Sequence, residues 1–307
     1  MIKWCSQYKY LGCMFTADGR ASNAVAADAS ARTCQAIKFI SFVEKNNDAP
    51  FIVKRKIFMA CVTSSLLYGC ETWLNADIRP IKRLYNMCLK ALLGVRRSTS
   101  NELCMAELGL PQLEAMVQDR QRSFFQGVSA SREQMVDDPL GFTLRTALNH
   151  NTPTSRYIRA LIANPGNEKD NSITRNQNTI RANTRLSTRY EWFKTVNPHL
   201  TTHRIYESRD GTINELHRIA WTRLRLSAHS LAIEEGRWNR RGRGRLPVEE
   251  RLCPCGAVQD ERHVLQDCPT TAHIRQEFVY GTVEEFLEKN DDVMTNIAYR
   301  VLNAYRN

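Results

Sequence analysis

The sequence predicts a mainly α-helical fold, in which a short β-hairpin leads into a helical bundle. A largely irregular linker follows, and then a small Cys/His module with flanking helices. Three observations predict it. One short strand-like stretch with a turn signal opens the chain; apolar residues recur at helical spacing through most of residues 21–127; and three of the ten cysteines crowd with one histidine into residues 253–268.

The elements follow in order. "YKYLGCMFTADGR" begins as a strand with Tyr8, Tyr10 and Leu11 and turns at Ala17-Asp18-Gly19, which sets a hairpin region of residues 1–20. Residues 21–130 read as one helical domain. "SNAVAADASARTCQAIKFISFVEKNN" is its first helix, and "FIVKRKIFMACVTSSLLYG" a second that ends at Gly69. "IRPIKRLYNMCLKALLG" is the third, and "PQLEAMVQDRQRSFFQG" the fourth, with Pro111 at its first position. Leu66, Leu67, Leu84, Leu92 and Leu93 sit on apolar faces of these helices and are expected to be buried.

Ser, Asn, Thr and Arg dominate residues 131–210, and "NEKDNSITRNQNTIRANTRLS" reads as a linker of low order. Asp137-Asp138 reads as the cap of a helix "PLGFTLRTALN". Residues 211–281 open with a helix in which Ile213, Leu216, Ala220, Leu224 and Leu231 recur at helical spacing, placing Arg218 and Arg225 on the other face. Residues 282–307 close the chain as short helices, with Asp291-Asp292 as a cap. No internal repeat is visible.

Composition narrows the function. The 307 residues suffice for about two domains. Lys and Arg number 43 against 32 Asp and Glu, a formal charge of +11 and a pI near 9.3. That balance favours a polyanion partner, RNA or DNA or an anionic surface. No apolar run approaches the roughly 18 residues that a membrane span needs, and "MIKWCSQYKYLG" lacks an apolar signal core. The scattered remaining cysteines suit reduced thiols in the nucleus or cytoplasm. No nucleophile–base set is arranged by spacing; His150, His199, His203, His217, His229 and His273 are isolated and read as ordinary surface or core residues.

Cys253, Cys255, His263 and Cys268 give the spacing C-x-C-x7-H-x4-C. Three thiolates and one imidazole suit a closed, tetrahedral, structural zinc site. Pro254 and Gly256 bend the chain at the first pair, Asp260 is a candidate N-cap for "DERHVLQDC", and Pro269 ends that helix. The competing reading is a cluster of buried thiols beside a surface histidine. His263 and Cys268, five apart, share a face only if the helix ends near Cys268.

Just upstream runs "GRWNRRGRGRLPVEER". Arg237, Arg240, Arg241, Arg243 and Arg245 alternate with glycine and with Trp238. Guanidinium groups on a flexible backbone suit phosphate contacts, and the indole suits stacking on an unpaired base. The bland alternative is a solvated basic linker.

"YKYLGCMFTADG", "PFIVKRKIFMACVTSSLLYGCETW" and "IKRLYNMCLKALLGVRRSTSNELCMAELGLPQLEAMV", in that order, resemble the back end of reverse transcriptases of LINE-type (non-LTR) retrotransposons. "RLCPCGAVQDERHVLQDCP" is similar to the Cys-Cys-His-Cys knuckle such enzymes often carry. The resemblance covers about residues 7–130 and 215–270. It implies a palm-end hairpin, with Tyr10, Leu11 and Gly12 at a primer grip, followed by a helical thumb. Lys54, Arg55 and Lys56 would then touch the template–primer backbone.

In that family two Mg2+ ions are held by palm aspartates, including a Phe/Tyr-x-Asp-Asp hairpin. Neither Asp137-Asp138 nor Asp291-Asp292 has the aromatic residue or the flanking apolar strands, and both follow the thumb-like block. The resemblance therefore implies a nucleic-acid-gripping C-terminal part of an RNA-directed DNA polymerase, with Mg2+ only in the parent enzyme and the palm and fingers as a partner. The alternative is a stand-alone zinc-dependent protein that binds RNA or single-stranded DNA.

Overall fold

A computed structural model describes residues 4–130, 139–163, 166, 168–184, 186–207, 213–237 and 244–306. Strands β1 (Gln7–Tyr10) and β2 (Cys13–Thr16) pair antiparallel, Tyr8 opposite Phe15 and Tyr10 opposite Cys13. Leu11 and Gly12 form the two-residue turn with φ of 47° and 87°. Two left-handed residues give the turn whose twist matches a hairpin. Tyr68 Oη donates to the Leu11 carbonyl at 2.8 Å, so the phrases "YLG" and "LLYG" meet in space.

Helix α1 (Ala21–Lys45) buries Val25, Ala29, Ala36 and Phe39 at helical spacing. Arg32 goes in with them because it pairs with Asp28 at 3.4 Å and donates to the Leu66 carbonyl at 3.0 Å. The second expected helix begins as α2 (Phe51–Ile57), widens into a π-helical stretch over Phe58–Thr63 and closes as α3 (Ser64–Leu66). Gly69 follows at φ 73°, where a Cβ would also strike Cys13 Sγ. α4 (Arg79–Leu93) ends at Gly94, α5 (Asn101–Glu107) is capped by Ser100, and α6 (Leu113–Ala130) completes this stretch. Leu66, Leu67, Leu92 and Leu93 are buried; Leu84 is half-buried.

Residues 131–210 depart from the linker expectation. α7 (Pro139–Asn149) is the expected helix "PLGFTLRTALN", but α8 (Pro153–Ala163), α9 (Glu168–Asn183) and α10 (Thr188–Val196) stand where a linker was expected. The acidic pair Asp137-Asp138 lies outside the described residues. Low hydropathy misled because α9 buries a stripe that is polar in two of its three residues: Ser172, Asn176 and Ile180 recur every four residues, and Ser172 Oγ accepts the Gln112 N–H at 2.9 Å. A buried polar group costs little once it is hydrogen-bonded.

After these come α11 (Glu215–Arg225), α12 (Ala232–Glu235), α13 (Ala272–Phe278), α14 (Val283–Leu287) and α15 (Asp291–Asn303). α11 buries the expected Ala220 and Leu224, but its polar face is buried as well. Leu216 is exposed, whereas Arg218, Trp221, Thr222 and Arg225 form the buried stripe at i, i+3, i+4 and i+7. The cap of α15 is Asn290, whose Oδ1 accepts the Val293 N–H at 2.9 Å; Asp291 and Asp292 occupy the first turn instead, where carboxylates suit the helix dipole.

The described chain divides into two compact units. One comprises Met1–Ser41, Ile57–Cys88 and Leu110–Asn176, the other Phe42–Lys56, Leu89–Gly109 and Gln177–Asn307. In the first, Phe58 sits between the tilted rings of Phe39 and Tyr85, and Phe125, Val128, Leu144, Ile158 and Leu161 knit α6, α7 and α8 together. In the second, Trp221 meets Phe286 edge-on at 5.5 Å, and α11 lies along α15. The Cys/His cluster belongs to this second unit.

Candidate metal centre

A short hairpin brings in the first two ligands. Leu252 bridges Val258, the Gln259 N–H donates to the Arg251 carbonyl at 2.8 Å, and the Cys253 N–H donates to the Ala257 carbonyl at 2.7 Å. The Gly256 N–H returns to the Cys253 carbonyl at 2.8 Å with φ 93° at Gly256, a tight reversal that turns both thiols to one side. Asp260 Oδ1 accepts the His263 N–H at 2.8 Å, as its expected capping role requires. The five-residue spacing of His263 and Cys268 is accommodated by a π-helical turn over His263–Asp267. There the Cys268 N–H reaches the His263 carbonyl at 2.9 Å, so residues five apart face the same way.

The four ligand atoms all lie within 4.8 Å of one another. Cys253 Sγ is 3.6 Å and Cys255 Sγ 3.9 Å from Cys268 Sγ, and Cys255 Sγ is 3.2 Å from His263 Nε2. Cys253 and Cys268 are buried, while Cys255 is exposed. This group could hold a metal ion.

Its surroundings are polar and organised. Burial, reinforced by the neighbouring Cys268 and Cys255 thiols, pushes the Cys253 thiol up to about 11. Burial acts the same way on Cys268, but hydrogen bonds from Tyr305 and Thr270 outweigh it and hold that thiol down at about 6. Behind the hairpin, Glu261 Oε1 accepts from Ser227 Oγ at 2.6 Å and meets His229 Nε2 at 2.9 Å. Burial disfavours the Glu261 carboxylate; the His229 charge and these hydrogen bonds overcome that and lower its pKa. His229 is thus a buried strut between the end of α11 and the Cys/His segment.

Arg251 is a structural anchor of the cluster that the sequence did not single out. It is buried and donates to the carbonyls of Leu246 (2.7 Å) and Ile233 (2.9 Å). The Leu246 N–H in turn donates to the Gly236 carbonyl at 2.9 Å, and Gln259 binds the Ala232 and Ile233 N–H groups at 2.7 and 3.1 Å. Both ends of the arginine run are therefore tied to the segment that leads into the Cys/His cluster. An arginine two residues before the C-x-C pair was the available signal.

The nucleic-acid candidates separate into groups. Lys54, Arg218 and Arg225 are internal ion-pair partners rather than surface cations: Lys54 and Arg218 meet Glu215 at 2.9 and 2.7 Å, and Arg225 meets Glu107 at 2.5 Å. A charge can enter a core only with such partners, so these three are withdrawn from the expected binding surface. Arg237 likewise pairs with Glu234 at 2.7 Å. Arg55 is half-buried; Lys56 and Arg245 are exposed. Trp238, Arg240, Arg241 and Arg243 lie outside the described residues. Tyr10 and Leu11 are exposed at the hairpin turn with Gly12. Among the described residues, no helix is long and apolar enough to cross a membrane. No family model, no characterised protein and no solved structure matches the chain.

Proposed function

We propose that the chain is the nucleic-acid-gripping C-terminal part of a reverse transcriptase of the non-LTR retrotransposon kind. In this reading Cys253, Cys255, His263 and Cys268 hold a structural zinc ion, and the palm and fingers that polymerise lie outside this chain. The observation that carries the reading is the anchoring of the arginine run. Gly236 and Leu246 flank it, are hydrogen-bonded to each other, and are held by Arg251 to the strand bearing Cys253. A cationic loop with fixed ends loses less entropy on meeting a phosphate chain than a free linker does.

Zinc is supported by geometry and by donor chemistry. Tetrahedral ligands at about 2.3 Å from zinc stand about 3.8 Å apart, which matches the sulfur separations of 3.6 and 3.9 Å. Three thiolates favour zinc over a hard ion such as Mg2+. Four protein ligands leave no open position for a reacting water, so the metal's task is to hold the segment's shape.

A second reading, a stand-alone binder of RNA or single-stranded DNA, is favoured by one fact: the metal centre and the anchored ends of the run lie in the same unit. The test is binding of the full chain to a short single-stranded RNA and the matching DNA, followed by fluorescence anisotropy across about 50–200 mM salt. Neutralising Arg240, Arg241, Arg243 and Arg245 to Gln should flatten the log–log salt slope by about 3, from roughly 0.7 per phosphate contact on single strands. An unchanged slope removes the arginine run from the interface and the reading with it. Primer extension on an RNA template by the chain alone would overturn the view that chemistry resides elsewhere.

A further inference from the structure

Tyr305 stands two residues beyond the end of α15, far in sequence from the ligands, yet its Oη lies 2.8 Å from Cys268 Sγ. We propose that Tyr305 is an outer-sphere positioning residue of the metal centre, donating its phenolic hydrogen bond to the Cys268 thiolate and making the end of α15 part of the site. This rests on the metal reading above.

The argument starts from the needs of the sulfurs. A ligating thiolate carries negative charge, and a buried one must find donors within the protein. The three thiols sit in three environments. Cys255 is exposed and can be served by solvent. Cys253 has the Gln259 amide at 3.8 Å, a weak contact. Cys268 is fully buried; Thr270, two residues along the same turn, donates to its sulfur, and the Tyr305 hydroxyl is the donor aimed at it from outside the ligand segment.

The position of Tyr305 is set by a ring of contacts that starts and ends at Cys268. Pro269 and the turn after it lead into α13, while Arg275 of α13 donates back to the Cys268 carbonyl at 2.8 Å. α15 is seated on α13 through Arg300, which pairs with Glu277 at 2.5 Å and lies over the Phe278 ring at 5.3 Å. Tyr305 then closes the ring. A phenylalanine would fill the same space, so the hydroxyl and not the ring is what the metal centre uses.

Tyr305→Phe in the full chain tests this, with metal read directly. Loss of an outer-sphere donor should weaken zinc affinity about 10–100-fold in competition with a chromophoric chelator, with stoichiometry unchanged at saturating metal. In the Co2+-substituted protein the thiolate-to-cobalt charge-transfer band should move to lower energy, because a thiolate relieved of a hydrogen bond donates more readily. Packing alone would leave that band where it is. An unshifted band with zinc affinity within about threefold of wild type would overturn the proposal while leaving the metal reading intact. A wild-type chain that binds neither ion defeats the metal reading first, and this inference falls with it.

Discussion

Replacing Arg225 separates two opposite views of one residue. From sequence it is a surface cation on the polar face of a helix; in the structure its side chain is 1% exposed. It forks onto Glu107 at 2.5 and 2.9 Å, donates to the Val196 carbonyl at 2.8 Å and lies 5.3 Å from the Trp221 ring. Arg225→Met leaves the Glu107 carboxylate fully buried, with Tyr206 Oη at 2.7 Å as its remaining partner. Breaking a buried pair from one side costs about 3–5 kcal/mol, so with a urea slope near 3 kcal/mol/M the midpoint should fall by roughly 1–2 M. The double change Glu107→Leu with Arg225→Met removes both charges, and Tyr206 keeps Thr222 at 2.8 Å. It should therefore cost less than either the sum of the single changes or Arg225→Met alone. Urea unfolding read by tryptophan fluorescence reports on this locus through Trp221. If Arg225→Met costs under about 1 kcal/mol, or instead lowers RNA affinity with stability untouched, the buried-pair account is refuted.

Other consequences are as definite. Leu66→Ala and Leu93→Ala, at 2% and 0% exposure, should each cost about 2–5 kcal/mol in the same assay, and Leu84→Ala less. Gly94→Ala should cost about 1–3 kcal/mol, since Gly94 has φ 73° and a Cβ would come within 2.9 Å of Ile219; a neutral result contradicts that packing. Burial first, then the charges of Arg225 and Arg204, depress the His203 pKa to about 3. The unfolded chain therefore takes up a proton near pH 6.5 that the folded one refuses, and stability present above that pH falls by about 1.4 kcal/mol per unit below it, until the folded histidine titrates. His203→Gln should flatten this acid slope between pH 6 and 4 by about that amount, and an identical slope in both proteins rules the assignment out.

How much was legible in the sequence follows from where polar residues went. The long α1 and the helix ends at Gly69 and Gly94 follow from apolar period and glycine, whereas the hairpin reverses at Leu11-Gly12 and not at the expected Ala17-Asp18-Gly19, because two left-handed residues close it earlier. The ligand set was legible because Cys and His report their own chemistry through spacing. What hydropathy did not show is which polar residues are buried. Ser172 in α9 is buried against Gln112, and Thr222 and Arg225 in α11 against Tyr206 and Glu107, all distant in sequence, while Arg218 pairs with Glu215 one turn away; a hydropathy pattern carries no trace of a partner. For the same reason Lys54 looked like a backbone contact until Glu215 was found beside it. The π-turn between His263 and Cys268, the Arg251 anchor and Tyr305 are tertiary facts of this kind.

The measurement that bears most directly on the account is the zinc content of the full chain, purified reduced, beside Cys268→Ser. About one equivalent in the wild type, lost in the variant, is the predicted result. Stripping the metal with a chelator should loosen the segment from Arg251 to Thr271, seen as faster amide exchange there, and weaken RNA binding through the released arginine loop. Well under half an equivalent of zinc in properly folded wild-type protein would contradict the central claim, and the arginine run would then stand on its charge alone.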